Sequence, residues 1–160
     1  MGMRKAPAFT FMELMMVIGI FAVIVSILGV ITFNAMNQRQ ATSEVELLLA
    51  ALSFQQQRAA NRVVNGGPNQ DYGIYFFEGG YTQFSGSSFQ EGNANNRTTN
   101  LSPGVDFGTI SFPDNQIVFD EVTGFVKNYQ PDKSSVVIIN RAEEQSLISV
   151  NRLGVVEVSK

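Results

Sequence analysis

The pattern of hydrophobic and polar positions divides this chain of 160 residues into three stretches. The first is apolar, and residues 14–33 contain no Asp, Glu, Lys or Arg. Twenty helical residues span about 30 Å, which is the thickness of the hydrocarbon core of a bilayer. The pattern therefore predicts a helix that crosses a membrane.

The second stretch is polar overall but keeps a helical periodicity. Its apolar residues recur mostly at four- and seven-residue spacings, while Gln55–Arg58 lie mainly off that line. The residues on the line are Val45, Leu48, Leu52, Ala59 and Val63. The spacing predicts an amphipathic helix that packs on the sheet of its own domain. Glycine and proline should end this helix near Asn65-Gly66-Gly67-Pro68.

The third stretch, from Tyr72 onward, has the alternation of β-strands. Residues 72–77 and 81–84 flank Glu78-Gly79-Gly80, which predicts a hairpin. Further strands are expected at 105–112, 116–120, 124–128, 135–140, 146–150 and 154–158. No helical pattern separates them, so an antiparallel sheet in an α+β fold is favoured. Residues 85–104 are rich in Ser, Asn and Gly and are expected to form a long exposed loop.

Composition removes several kinds of chemistry. The chain has no cysteine and no histidine, so a disulfide framework, a Cys-based zinc site and a histidine base are excluded. The acidic pairs Asp120-Glu121 and Glu143-Glu144 are interpreted as solvated turn charges. We therefore expect neither an enzyme nor a cofactor, and no metal-site residues are assigned. Calcium binding by a loop stays open, although the chain has no EF-hand spacing.

The charges around the apolar stretch predict its orientation. Arg4 and Lys5 precede the stretch, and the first basic residue after it is Arg39. Basic residues stay on the cytoplasmic side, so the domain after the helix is expected across the membrane. The stretch is too long for a secretory signal peptide and has no Ala-x-Ala at its end. Hydropathy alone leaves a simple signal-anchored protein equally open.

Glu13 favours a more specific interpretation. A carboxylate inside a membrane span costs about 2.5–3.5 kcal/mol at mid-membrane and less near the end, so such residues are functional by default. A partner exists if the chain is cut between Ala8 and Phe9. The cut creates a positively charged α-amine on Phe9, at the depth of Glu13 in a neighbouring subunit.

These N-terminal residues together resemble the start of type IV prepilins and the related pseudopilins. Such proteins carry a basic leader, a small residue, a Phe-Thr-x-x-Glu motif and an apolar helix. This chain has Arg4-Lys5, then Ala8, then Phe9-Thr10-Phe11-Met12-Glu13 in that order. It departs from the pattern in two places. Ala8 stands where Gly is usual, and Gly29-Val30 stand where many major pilins have a proline.

The resemblance implies the site residues. The prepilin peptidase would cleave after Ala8 and N-methylate the new amine of Phe9, and Glu13 would be the assembly glutamate. The domain organisation that follows is a leader at 1–8, a transmembrane assembly helix at 9–33, an amphipathic helix at 34–65 and a β head at 66–160. The expected fold is α+β and pilin-like, with the long N-terminal helix packed on an antiparallel head.

The head also resembles the GspH/FimT-type minor pseudopilins. The similarity lies in Gly73-Ile74-Tyr75-Phe76, in Ile117-Val118-Phe119, and in a closing strand pair around Asn151-x-x-Gly154. The expected function is that of a minor subunit of a type II secretion pseudopilus or a type IV pilus. A major pilin for adhesion, motility or DNA uptake, and a signal-anchored surface protein that never polymerises, remain as alternatives.

The expected partners follow from this assignment. They are other pilin subunits, the prepilin peptidase, a membrane assembly platform and the lipid bilayer. The location is the bacterial inner membrane and then the filament. Loss of Arg4 and Lys5 leaves 9 basic and 14 acidic side chains, a net charge of −5, which disfavours nucleic acid as a partner.

Overall fold

The computed structural model describes residues 10–61, 70–140 and 143–159. For residues 30–38 of the helix it describes the backbone alone. The chain divides into two compact units, residues 1–36 and 37–160, and the second is called the head below. The helix α1 spans Phe11–Ala60. The predicted α+β class is confirmed in this form, as an N-terminal apolar helix with antiparallel sheets.

Eight strands follow the helix. They are β1 Tyr72–Phe77, β2 Gly80–Ser85, β3 Arg97–Asn100, β4 Val105–Ile110, β5 Gln116–Phe119, β6 Ser135–Asn140, β7 Gln145–Val150 and β8 Val156–Ser159. They form two four-stranded sheets, ordered β3-β2-β1-β5 and β4-β6-β7-β8, where we expected one. All described pairings are antiparallel, as predicted.

The part of α1 within the head buries the predicted apolar stripe. Val45, Leu48, Leu52 and Ala59 are buried in the core, whereas Val63 lies outside the described residues. The predicted stop at residues 65–68 also lies outside them, and the described helix ends at Ala60. Burial of this stripe against two sheets, more than helix propensity, stabilises this part of α1.

The hairpin of β1 and β2 is confirmed. Phe77 pairs with Gly80, so the turn consists of Glu78 and Gly79 alone. Glycine is required at position 73, because a Cβ there would lie 2.5 Å from both the Ile117 carbonyl oxygen and the Phe84 ring. The ring of Phe84 therefore lies over a position that only glycine can occupy.

The expectation of a long exposed loop at 85–104 is wrong in two respects. Residues 97–100 form β3, which pairs with β2, and the hydroxyls of Thr82 and Thr98 lie 2.9 Å apart across that pair. Phe89 stacks on Tyr75 with ring centroids 4.2 Å apart, and its amide donates to Gln116 at 2.8 Å. These contacts attach the middle of the segment to the first sheet.

A second correction concerns residues 124–128, where a strand was predicted. The segment makes only an isolated bridge between Phe119 and Val126. Gly124 has φ +68°, and its amide donates to the Asp120 carbonyl at 2.9 Å, so the chain turns there. The closing pair of β7 and β8 around Asn151-x-x-Gly154 is present, with Gly154 at φ +80°.

The core of the head joins α1 to both sheets. Phe76 of the first sheet stacks on Phe112 at 5.2 Å and meets Phe107 of the second sheet edge-on at 5.6 Å. Ile138 and Ile148 close the core from the second sheet. Aromatic pairs of this kind add about 0.5–1.5 kcal/mol each beyond area burial.

Candidate functional site

The N-terminal part of α1 differs from the rest of the helix because its apolar side chains are exposed. Its 19 residues Phe11–Gly29 form the one segment, among the described residues, that is long and apolar enough to cross a membrane. None of them is buried, and large side chains such as Phe21 and Ile27 are more than half exposed. Exposure of apolar surface to water is unfavourable, and 19 helical residues span about 28 Å, which is close to the thickness of a hydrocarbon core.

Glu13 closes the first turn of this helix. The Glu13 amide donates to the Thr10 hydroxyl at 3.2 Å, and the Thr10 amide donates to Oε2 of Glu13 at 3.0 Å. The Thr10 hydroxyl donates to the same Oε2 at 3.0 Å. This reciprocal pair is a capping box, which satisfies two amides that a helix start leaves without partners.

The capping box gives Glu13 a local role that the sequence analysis did not assign. The signal was present in the sequence, since Thr10-Phe11-Met12-Glu13 has the Thr-x-x-Glu spacing of such a box. A carboxylate near the helix start is also favourable to the helix dipole. Ala8 and Phe9, the predicted cleavage and methylation positions, lie outside the described residues, so the pairing of Glu13 with the Phe9 amine stays a prediction.

One face of the apolar segment carries small residues. Gly19, Ala22, Ser26 and Gly29 follow one another at spacings of three, four and three, which places them along one side of a helix. The Ser26 hydroxyl donates to the Ala22 carbonyl at 2.9 Å, so it is satisfied within the helix. Faces of this composition allow helices to approach closely in membranes.

Two polar residues of α1, Glu44 and Gln55, face inward in the head, although the helical pattern did not predict this. Glu44 accepts hydrogen bonds from the amide and hydroxyl of Ser102, at 3.1 and 2.5 Å. Gln55 was expected to lie mainly off the buried line, but it is buried and donates to the Gly73 carbonyl at 3.1 Å. Their spacing from Leu48 and Leu52 could have shown this, because Glu44 and Gln55 continue the same helical face.

Gln56 connects α1 to two surface turns. Its side-chain amide donates to the carbonyls of Gly124 at 3.1 Å and Leu153 at 2.8 Å. A Cβ on Gly154 would lie 2.3 Å from the same amide nitrogen, so glycine is needed at that position as well. One helical side chain thus fixes segments that lie 68 and 97 residues away.

A cleft of about 580 Å³ opens beside these turns. Its charged and aromatic lining consists of Asp120, Phe125, Lys127, Tyr129 and Arg152, together with Pro131. Lys127 donates to Asp71 at 2.7 Å, and this hydrogen bond raises the pKa of the Lys127 ammonium. Backbone hydrogen bonds from Thr123 and Val122 lower the pKa of Asp120. Both groups are therefore engaged within the head.

The acidic pairs have structural partners. Asp120 accepts the amides of Val122 and Thr123 at 3.1 and 3.0 Å, and Glu144 accepts the Asn140 side-chain amide at 2.9 Å. Among the described residues, no three or more Asp and Glu side chains are grouped so that they could hold a metal ion. The carboxylates of Asp120 and Glu144 thus satisfy polar groups of their own turns.

Comparison with known proteins does not place the chain in a family. No protein-family model, no curated protein and no solved structure matches it.

Proposed function

We propose that this chain is a prepilin-like structural subunit, a GspH/FimT-type minor pseudopilin of a type II secretion pseudopilus or type IV pilus. The supporting observation is the contrast along α1. Residues 11–29 are apolar and uncovered, whereas residues 45–59 belong to the core of an α+β head. A helix of this kind suits a subunit stored in a bilayer and later packed against other helices.

The proposed site is the helix start. Cleavage between Ala8 and Phe9 frees an amine, which is then methylated, and Glu13 of a neighbouring subunit pairs with it. The described hydrogen bonds that the Glu13 carboxylate accepts both use Oε2, which leaves Oε1 to accept the amine. Removing one partner of a buried ion pair costs about 3–5 kcal/mol, so the pair would fix the register of adjacent subunits.

The proposed location is a bacterial inner membrane, with the N-terminus in the cytoplasm and the head outside it. Arg4 and Lys5 support this orientation. The face of Gly19, Ala22, Ser26 and Gly29 would contact neighbouring helices after an assembly platform extracts the subunit. The partners are other subunits, the prepilin peptidase, the platform and the bilayer.

Two variants separate the capping role of Glu13 from its charge. Glu13→Gln keeps a capping box, because glutamine also serves at this position, but removes the charge. Thr10→Ala removes the cap, at a cost of about 0.5–2 kcal/mol in helix stability, but keeps the charge. We expect Glu13→Gln to be cleaved normally and lost from sheared filaments, and Thr10→Ala to be incorporated.

The measurement is the amount of each full-length variant in sheared filaments, with leader cleavage as the internal control. Normal incorporation of Glu13→Gln would refute charge pairing and leave capping as the function of residue 13. High abundance of the parent chain in the filaments would instead support a major pilin.

The capping box favours one alternative specifically. A carboxylate that caps its own helix needs no neighbour, so a signal-anchored surface protein that does not polymerise could carry the same residue. For that protein, both variants would remain in the membrane fraction with an uncleaved N-terminus.

A further inference from the structure

The cleft beside the surface turns has walls that hydrogen bonds hold in place. Its lining comes from residues 120–131 and from Arg152. The Val126 amide donates to the Arg152 carbonyl at 2.9 Å, which joins the two parts of the lining. The side chain of Asn128 accepts an amide of β5 at 3.0 Å and donates to a carbonyl of β5 at 2.8 Å. A site whose backbone is already ordered loses little entropy when a ligand binds.

The lining combines apolar walls with a size that suits a short peptide. Phe125 is 43% exposed, and Tyr129 and Pro131 line the same cleft. The volume of about 580 Å³ lies within the range of about 300–1,000 Å³ that is typical of ligand sites. Aromatic side chains contribute a large contact area to interfaces. The cleft can therefore accept an apolar side chain of a ligand.

The charge of Arg152 in this lining is unpaired. The chain has 14 Asp and Glu residues, and all of them lie within the described residues. The one ion pair in that part of the chain joins Lys127 to Asp71 at 2.7 Å, so the Lys127 charge is already balanced. Arginine presents a planar fork of N–H donors that matches a carboxylate. Arg152 thus offers a free cationic group to a ligand.

Asp120 narrows the choice of anion. Its carboxylate lines the same cleft as Arg152 and accepts amides of its own turn, so the cleft also holds negative charge. Nucleic acid carries phosphates in a row and is bound through several basic groups. One free guanidinium near a carboxylate instead suits a ligand with a single carboxylate next to an apolar side chain.

We propose that the cleft binds a short peptide segment of another protein, in which a carboxylate pairs with Arg152 and a neighbouring apolar side chain packs on Phe125. The partner differs in sequence from this chain, which agrees with a minor subunit whose neighbours are other proteins. The inference goes beyond the proposed function, since the cleft belongs to the head and needs neither cleavage after Ala8 nor assembly.

Two pentapeptides test the proposal on the full-length, isotope-labelled chain in detergent. One has the sequence Ser-Phe-Glu-Leu-Ser, and the matched control has glutamine in place of glutamate. We expect the acidic peptide, added up to millimolar concentration, to give saturable shifts of the amide NMR signals of residues 120–131. The glutamine peptide should bind about tenfold more weakly, because it loses the charge-assisted hydrogen bonds to the guanidinium.

Variants of the chain then locate the contacts. Arg152→Gln should bind the two peptides equally weakly, because one partner of the ion pair is missing in either case. Phe125→Ala should weaken binding of the acidic peptide about tenfold through loss of the apolar contact. Arg97→Gln removes an exposed arginine of β3 and should bind as the parent does. Chemical denaturation checks that each variant keeps the stability of the parent.

Three results would overturn the proposal. Equal binding of both peptides by the parent would exclude the pairing with a carboxylate, and the absence of saturable shifts would exclude the site. Displacement of the acidic peptide by a single-stranded oligonucleotide that shifts the same signals would identify a nucleic-acid site instead. None of these results depends on the N-terminus, so a chain with a methylated Phe9 that binds no peptide would leave the proposed function standing.

Discussion

The apolar segment 11–29 and the head contain the same kinds of side chain but use them in opposite ways. Within residues 11–29 the leucine, isoleucine and phenylalanine side chains are exposed. In the head, side chains of the same kinds fill a core between the later part of α1 and two sheets. Burial stabilises by about 25 cal/mol per Å² only where water is excluded. The head therefore has its own source of stability, whereas none of the described side chains of the segment is buried within the chain.

The same substitution made in both regions tests whether apolar side chains stabilise the head and not the segment. Leu48 is fully buried in the head, so Leu48→Ala should lower the free energy of unfolding of the head by about 2–5 kcal/mol. Leu14 is exposed, so Leu14→Ala should leave that free energy unchanged. Chemical denaturation of the full chain in detergent measures both. A comparable loss for Leu14→Ala would show that the segment contributes to the fold of the head.

A smaller effect is expected where a polar helix residue supports the surface of the head. Gln56→Ala removes two hydrogen bonds to the surface turns and should cost about 1–2 kcal/mol of unfolding free energy. Its neighbour Gln57 is exposed, so Gln57→Ala is the matched control and should change stability by no more than about 0.5 kcal/mol. Equal effects of the two substitutions would contradict the bridging role of Gln56.

The smallest predicted effect is a dependence of head stability on pH. Hydrogen bonds from Thr123 and Val122 lower the pKa of Asp120 below its ordinary value of 3.8. A lowered pKa in the folded state gives stability that is present above this value and is lost as the pH falls through the folded-state pKa. Unfolding free energy should therefore decline below about pH 4.

Two substitutions at Asp120 isolate this contribution. Asp120→Asn keeps an oxygen that accepts the turn amides but does not titrate, so its acid decline should be shallower than that of the parent. Asp120→Ala loses the turn bonds as well, so it should be less stable already at pH 7. An acid decline in Asp120→Asn as steep as in the parent would exclude Asp120 as its source.

Much of the fold could be predicted because local pattern and tertiary structure agree. The β1–β2 hairpin has a two-residue turn between alternating strands, and β6 has the bounds expected from its apolar run. The helix stripe of Leu48 and Leu52 follows directly from periodicity. In these elements a single short segment contains the whole signal.

The missed elements depend on contacts that a single segment does not encode. Strand β3 has no buried alternation and exists because it pairs with β2, so its sequence resembled a loop. Residues 124–128 have strand-like composition, but the turn closed by Asp120 and Gly124 prevents a ladder. The division into two sheets likewise follows from long-range pairing, which periodicity does not report.

The candidate functional residues also include some that the sequence can predict and some that it cannot. The Thr10-x-x-Glu13 spacing is local, so the capping box could have been predicted. The cleft with Arg152 and Phe125 could not, because it arises where two distant turns meet. The helical pattern identifies Gln56 only as a polar helix residue, because its partners Gly124 and Leu153 lie in distant turns.

We propose that the apolar segment is a processed assembly helix and not a simple anchor. Mass spectrometry of the N-terminus of the mature chain, purified from membranes of cells with a prepilin peptidase, tests it most directly. We expect a mature chain that begins at an N-methylated Phe9. A mature chain that still begins at Met1 would contradict it.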